Sequence, residues 1–442
     1  MRPDLSDTGC IMQKPELLSP AGKIKHMRYA FAYGADAVYV GQPRYSLRVR
    51  NNQFKELDTL AAAVEEAHGQ GKQIYVASNI APHNDKVRSY IRDLEPVIEM
   101  RPDALIMSDP GLIMLVRDHF PEMAVHLSVQ ANAVNWATVR FWQGQGLARV
   151  ILSRELSIEE IQDIRDKVPD MEIEVFVHGA LCVAYSGRCL LSGYMTHRDS
   201  NQGACTNACR WKYQAHEAVE DEVGDLIPGK IASDVEKVAP VLLQEEGRPG
   251  EYMPAYEDEF GTYIMNSRDL RAVQHVKRFT DMGISSLKIE GRTKSHYYVA
   301  RTAQVYRRAI DEAVSGSEFD MGMMDELEAL SNRGYTEGFY RRHPPAEYQR
   351  YESNRETWDR PRFVGEILDE SATWLTIEVK NRFDRGDMME LMTPAGNLRF
   401  ELTTLEDRNG HGIDSAPGSG HIVRIEKPSE LEGYAYGLLV RH

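Results

Sequence analysis

Eight short β-rich runs, at 16–19, 37–40, 74–77, 104–107, 125–129, 149–152, 173–177 and 286–289, alternate with amphipathic stretches from residue 15 to about 315. In those stretches Leu57, Leu60, Ala61, Val64 and Ala67, and again Ile158, Ile161 and Ile164, recur three or four residues apart, the period of a helix with one buried face. Eight strands alternating with helices in one domain of this length predict an α/β fold, a TIM-like (β/α)8 barrel. A doubly wound open sheet is the structural alternative, and no Gly-x-Gly-x-x-Gly turn supports it.

The alternation breaks after the seventh run. Residues of about 180–260 carry most of the cysteines and then a polar, Gly- and Pro-containing segment, which reads as an insertion at the barrel mouth. Beyond Tyr351 the period changes to two, at Leu375/Ile377/Val379, Met389/Leu391, Leu398/Phe400/Leu402 and Val423/Ile425, with Thr393-Pro-Ala-Gly396-Asn397 as a turn. The expected organisation is a polar leader at 1–14, a barrel at 15–340, a linker at 341–359 and a small all-β barrel domain at 360–442. That last domain has no cysteine, so it is expected either to dock a partner through one face or to cover apolar barrel surface.

The 442 residues are 42% hydrophobic, enough for a sizeable core, and no apolar run approaches a membrane span or a secretory signal. A cytoplasmic protein with no membrane partner is expected, with Cys10 in the leader a spare thiol. The net charge of -15 argues against nonspecific nucleic-acid binding. Local basic groups remain around Arg44, Arg48 and Arg50, at Lys277-Arg278, Arg292-Thr-Lys294 and Arg341-Arg342-His343, each of which also reads as an ordinary solvated face.

Cys182, Cys189, Cys205 and Cys209 are separated by six, fifteen and three residues. Four thiolates on loops close a tetrahedral set around zinc or hold a cubane cluster. Structural zinc favours two short Cys-x2-4-Cys knuckles, and only Cys205-x3-Cys209 fits, so the wide gaps lean toward a 4Fe-4S cluster. Buried structural thiols would scatter, and disulfides need an oxidising compartment.

The strand ends carry polar side chains where a barrel keeps its chemistry. Asn79 and His83 follow the third run, Ser108-Asp109 the fourth, Gln130, Asn132 and Asn135 the fifth, Ser153-Arg154-Glu155 the sixth, His178 the seventh and Glu290-Gly-Arg292 the eighth. His178, Glu155 and Asn132 are the candidate catalytic groups, although His178 also reads as a core histidine. Arg44, Arg48, Arg154 and Arg292 suit bidentate binding of carboxylate or phosphate, and Asn79, His83 and Gln130 complete the candidate substrate set. No Ser–His–Asp or Cys–His triad and no His-Glu-x-x-His can be argued.

The word Glu174-x-Phe176-x-x-Gly179-Ala-Leu-Cys182-x4-Gly187-x-Cys189-x-Leu191-Ser192 resembles the signature of the collagenase-like peptidase U32 family. The likeness extends over Pro15 to Gly22, Gly34 to Tyr39, Lys288-Ile-Glu-Gly-Arg292 and the C-terminal β-domain, nearly the whole chain. Tyr29-Ala-Phe-Ala-Tyr-Gly-Ala-Asp36, Ile80-Ala-Pro-His-Asn84 and Ser128-Val-Gln-Ala-Asn-Ala-Val-Asn-Trp136 are similar to members that hydroxylate tRNA. The resemblance implies a barrel with a 4Fe-4S cluster on Cys182, Cys189, Cys205 and Cys209, loaded by iron–sulfur assembly machinery. It further implies hydroxylation of the wobble uridine at ring carbon five in the tRNA anticodon loop, dependent on prephenate and not on molecular oxygen. Relatives act on ribosomal RNA or a quinone precursor, so the fold leaves the substrate open. The peptidase name and a noncatalytic cluster-bearing accessory are the rival readings.

Overall fold

The computed structural model describes residues 14–47, 53–54, 56–181, 185, 268–330, 332, 334–341, 361–431 and 433–442, and the backbone of 216–220, 226–231, 241–244, 252–258 and 261–263. Eight strands form the expected barrel: β1 (Glu16–Pro20), β2 (Ala37–Gly41), β3 (Gln73–Ser78), β4 (Ala104–Met107), β5 (Val125–Leu127), β6 (Arg149–Ile151), β7 (Glu172–Ala180) and β8 (Ser286–Ile289). All neighbours are parallel, and the ring closes because β8 pairs with both β1 and β7, Lys288 standing opposite Leu18 on one side and Phe176 on the other. Both faces of these strands are covered, which is why they read as near-continuous apolar runs.

The helices packed outside are α1 (Ile24–Ala32), α2 (Leu57–Gly69), α3 (Tyr90–Glu99), α4 (Pro110–His119), α5 (Trp136–Gly144), α6 (Ile158–Lys167), α7 (Val276–Asp281) and α8 (His296–Ser315). Their starts are written locally. Asp109, Asn135 and Ser295 accept from backbone N–H groups of the first turns of α4, α5 and α8, and Ser157 with Glu160 forms a reciprocal capping box on α6. Gly316, in the left-handed region at φ 76°, ends α8.

After β7 the chain departs into the insertion and returns as strand Asp269–Arg271, which pairs antiparallel with the end of β7, Arg271 opposite His178. Within the insertion, His216–Glu220 pairs with Leu226–Ile231, and Val241–Gln244 with Tyr252–Asp258. The insertion therefore leaves and rejoins the barrel at one place, and the eight-strand ring survives it.

The C-terminal domain is all-β. Its strands are β9 (Arg362–Glu370), β10 (Trp374–Val379), β11 (Met388–Thr393), β12 (Gly396–Glu401), β13 (Leu405–Asp407), β14 (Ile422–Glu426) and β15 (Leu438–Arg441). These seven pair in the order β12-β11-β15-β9-β10-β14-β13. Among the described residues no pairing joins the outer strands β12 and β13.

The domain packs on α1 and α8. Leu439 of β15 faces its own core, whereas Leu438 and Val440 belong with Met392 to the core of the barrel. Tyr29 Oη donates to Glu366 at 2.9 Å, Tyr33 Oη lies 3.0 Å from the Met392 carbonyl, and the buried Arg301 reaches Glu390 at 2.6 Å. Among the described residues no helix is long and apolar enough to cross a membrane.

Candidate active site at the barrel mouth

The loops after β3 to β6 bring amides and hydroxyls together at the C-terminal ends of the strands. Asn79 Nδ2 donates to Gln130 Oε1 at 3.0 Å and lies 3.3 Å from Ser128 Oγ, while its Oδ1 accepts from the Leu47 backbone at 3.3 Å. Ser108 Oγ donates to the Asn79 carbonyl at 3.2 Å, and Ser128 also contacts Gln130. Asn132, in the left-handed region at φ 52°, places Nδ2 3.5 Å from Ser153 Oγ, which in turn contacts the Glu155 carboxylate. Asn79, Gln130, Asn132 and Glu155 are thus gathered on neighbouring loops, as a site needs if it is to read the edge of a planar polar ligand.

Positive charge lies beside this ring. Arg154 stacks its guanidinium 3.9 Å from the Phe176 ring centroid and donates to the Ala180 carbonyl at 2.6 Å, and its Nε is buried without a hydrogen-bond partner among the described residues. Arg292 is buried, donates to Ser46 Oγ at 2.8 Å and lies 5.7 Å from the Tyr39 ring. The loop carrying it is held by close approach. A Cβ at Gly22 would lie 2.1 Å from the Arg292 carbonyl oxygen, and one at Gly179, where φ is +109°, would lie 2.6 Å from that of Glu290.

Below the mouth the barrel interior is ionic, a feature the sequence reading missed. Lys288 donates to Glu174 at 2.7 Å, Glu174 accepts from Arg149 at 3.2 Å, and Arg149 reaches Glu16 at 2.7 Å. Tyr75 Oη and Ser286 Oγ donate to Glu16, and the His126 ring packs 4.8 Å from Tyr75. Burial pulls the Lys288 ammonium below the ordinary lysine range against the attraction of Glu174. Burial, with Arg149 and Lys288 nearby, holds His126 neutral. The signal was present: a lysine inside Ser286-Leu-Lys-Ile289 and a glutamate inside Ile173-Glu-Val-Phe occupy alternate positions of otherwise apolar strands.

The remaining candidates are placed differently. His178 is buried, with Nδ1 3.3 Å from Tyr306 Oη and Nε2 3.3 Å from Tyr335 Oη, and burial, helped by Lys294 and Arg271, pushes it down to about 3. Of its two readings this geometry matches the core histidine, because both ring nitrogens are engaged by tyrosines of α8 and of Tyr335–Thr336. Arg44 is exposed and pairs with Asp93 of α3 at 2.5 Å. His83 is exposed, and its carbonyl accepts from the Lys86 backbone in a short turn. Arg48, Cys10, Cys182, Cys189, Cys205 and Cys209 lie outside the described residues. Among the described residues no group of three or more His, Cys, Asp or Glu is arranged to hold a metal. The cysteine segment follows Leu181, at the end of β7 and one residue beyond the carbonyl that Arg154 grips.

A closed parallel barrel with a cysteine-bearing insertion after β7 and polar loops at its mouth defines a barrel protein with an elaborated top face. The chain belongs to peptidase family U32: the family profile matches residues 22–350 and that of the family's C-terminal domain matches residues 359–441. It is 61% identical over 443 residues to tRNA hydroxylation protein P of Escherichia coli (strain K12), covering 98% of this chain and 97% of that protein. It is 58% identical to tRNA hydroxylation protein P of Haemophilus influenzae, covering 97% and 96%, and 36% identical to tRNA hydroxylation protein P1 of Bacillus subtilis, covering 95% and 94%.

Proposed function

We propose that this chain hydroxylates tRNA, and that its target is carbon five of the wobble uridine in the anticodon loop, in a prephenate-dependent reaction without molecular oxygen. The observation that carries the reading is 61% identity over nearly the full length of a tRNA hydroxylation protein. The mouth suits the task. A single-stranded loop base leaves its stack at small cost, and the Asn79, Gln130 and Asn132 amides offer donors and acceptors for a uracil edge. Arg154 and Arg292 hold the carboxylates of prephenate or a similar small dicarboxylate. Glu155, in contact with Ser153, is the candidate acid–base group of the mouth.

Cys182, Cys189, Cys205 and Cys209 fit a 4Fe-4S cluster by donor chemistry, four soft thiolates beginning one residue past Leu181. When bound, that group supplies one-electron redox chemistry, and it is loaded by iron–sulfur assembly machinery in the cytoplasm.

Mass spectrometry of tRNA nucleosides from a strain lacking the gene is the test. Loss of 5-hydroxyuridine-derived wobble nucleosides, restored by the wild-type gene, is expected. Unchanged nucleosides in a strain also lacking any oxygen-dependent hydroxylase would overturn the reading. Anaerobically purified protein is expected to carry about four irons per chain, and stoichiometric zinc without iron would overturn the cluster.

A further inference from the structure

The two mouth arginines rest on the same buried ammonium. Lys288 Nζ lies 4.5 Å from the Tyr39 centroid and 5.5 Å from that of Phe176. Tyr39 is the ring beside Arg292 at 5.7 Å, and Phe176 is the ring beneath Arg154 at 3.9 Å. Lys288 is 3% exposed and Glu174 0%, and their 2.7 Å ion pair ties β8 to β7 inside the barrel. A buried lysine needs one carboxylate to offset its desolvation. It does not need two aromatic faces, each shared with an arginine of the mouth. Cations attract ring faces, so moving the ammonium moves the shelf on which each arginine lies.

We propose that Lys288 is a positioning residue of the anion site: clamped by Glu174, it fixes the Tyr39 and Phe176 rings against which Arg292 and Arg154 lie, and adds positive potential beneath them. The inference rests on the reading of the mouth as a dicarboxylate site. Burial lowers the affinity of Lys288 for its proton, and the ion pair with Glu174 at 2.7 Å opposes this.

The test uses the full-length, cluster-loaded protein and titration calorimetry with two probes, malonate and prephenate. Lys288→Met combined with Glu174→Gln removes the pair without leaving a buried carboxylate on the lysine side. Lys288→Arg keeps the charge. The double variant is expected to bind both dicarboxylates about tenfold more weakly, a loss of about 1.4 kcal/mol, with tRNA affinity unchanged. In turnover KM for the small donor rises by a similar factor while kcat holds, and Lys288→Arg recovers most of the loss. A purely structural role would lower melting temperature and active fraction without moving KM. Equal dicarboxylate affinity in wild type and double variant overturns the proposal. If the double variant does not fold, Phe176→Leu decides, because it removes the ring between Lys288 and Arg154 and leaves the ion pair in place; a dicarboxylate affinity and KM identical to wild type would then overturn the positioning role. A wild-type protein that binds malonate but not prephenate keeps the role of Lys288 and overturns the prephenate reading, whereas binding of neither overturns both.

Discussion

Inside the barrel, inward positions of β1, β6, β7 and β8 hold Glu16, Arg149, Glu174 and Lys288, linked by hydrogen bonds of 2.7 to 3.2 Å. The matching inward positions of the C-terminal sheet hold Val364, Leu375, Ile377, Leu391, Val423 and Ile425, all buried among one another. Both interiors exclude water, yet only the first contains charge that must be satisfied residue by residue. Ionic interiors are weak sources of stability and strong sources of fixed geometry, so the barrel is organised around its site and the β-domain around its packing. The interface between them mixes the two styles, with Arg301 and Glu390 buried beside Leu438 and Val440.

The sharpest break of this comparison is truncation after residue 352. Removal of the β-domain uncovers the apolar surface under Met392, Leu438 and Val440 and strips Arg301 of Glu390. Arg301 keeps Glu326 at 3.2 Å, so the larger loss is the exposure of that apolar surface. The truncated chain is expected to aggregate or melt far below the intact protein, as read by light scattering and thermal denaturation. A soluble truncated barrel with an unchanged melting temperature would show the domains to be independent and return the β-domain to the role of a partner-docking module.

Acid separates the two interiors next. His126 and His178 are buried neutral in the barrel, their folded pKa depressed by burial, that of His178 to about 3. The unfolded chain binds these protons near pH 6.5 and the folded barrel does not, so stability is full above that pH and falls as pH drops, by about 1.4 kcal/mol per pH unit per histidine. Glu366 behaves differently. Burial alone would raise it, but the His296 ring 3.4 Å away and hydrogen bonds from Lys25 and Tyr29 bring it down to about 2. Its contribution to the domain interface is present above the unfolded carboxylate range, about pH 4.3, and is lost as pH approaches 2. Barrel unfolding below pH 6 is therefore expected before the Glu366 link titrates, and denaturant midpoints from pH 7 to 4 check it. Flat midpoints over that range would mean that the histidines are not held neutral.

The smallest effect belongs to the β-domain core. Ile377→Val removes one methylene from a fully buried site and is expected to lower stability by about 1 kcal/mol, without changing tRNA hydroxylation. A loss of turnover larger than the loss of folded protein would mean that the sheet transmits shape to the mouth.

The eight barrel strands and the period-two domain were legible in the sequence because each is written in local spacing. The mouth was legible in part. Asn79, Gln130, Asn132 and Glu155 converge because strand ends of a barrel must converge, so position after a strand was a sound guide. His178 follows the same rule in sequence and is instead enclosed by Tyr306 and Tyr335, since the return strand and α8 close over the end of β7. Arg44 has the right chemistry, and its partner is Asp93, forty-nine residues away.

By itself the sequence determined periodicity, element order, the cysteine spacing and, through matched words, the family. Tertiary structure alone decided which charges meet. Lys288, Glu174, Arg149 and Glu16 come from four strands, Glu16 on the first and Lys288 on the last of the barrel. Local spacing carries no record of such a meeting, because barrel closure, not chain proximity, sets the distances. Whether a lysine in an apolar strand is a misfit or the anchor of a site depends on the carboxylate and the two rings that closure places around it.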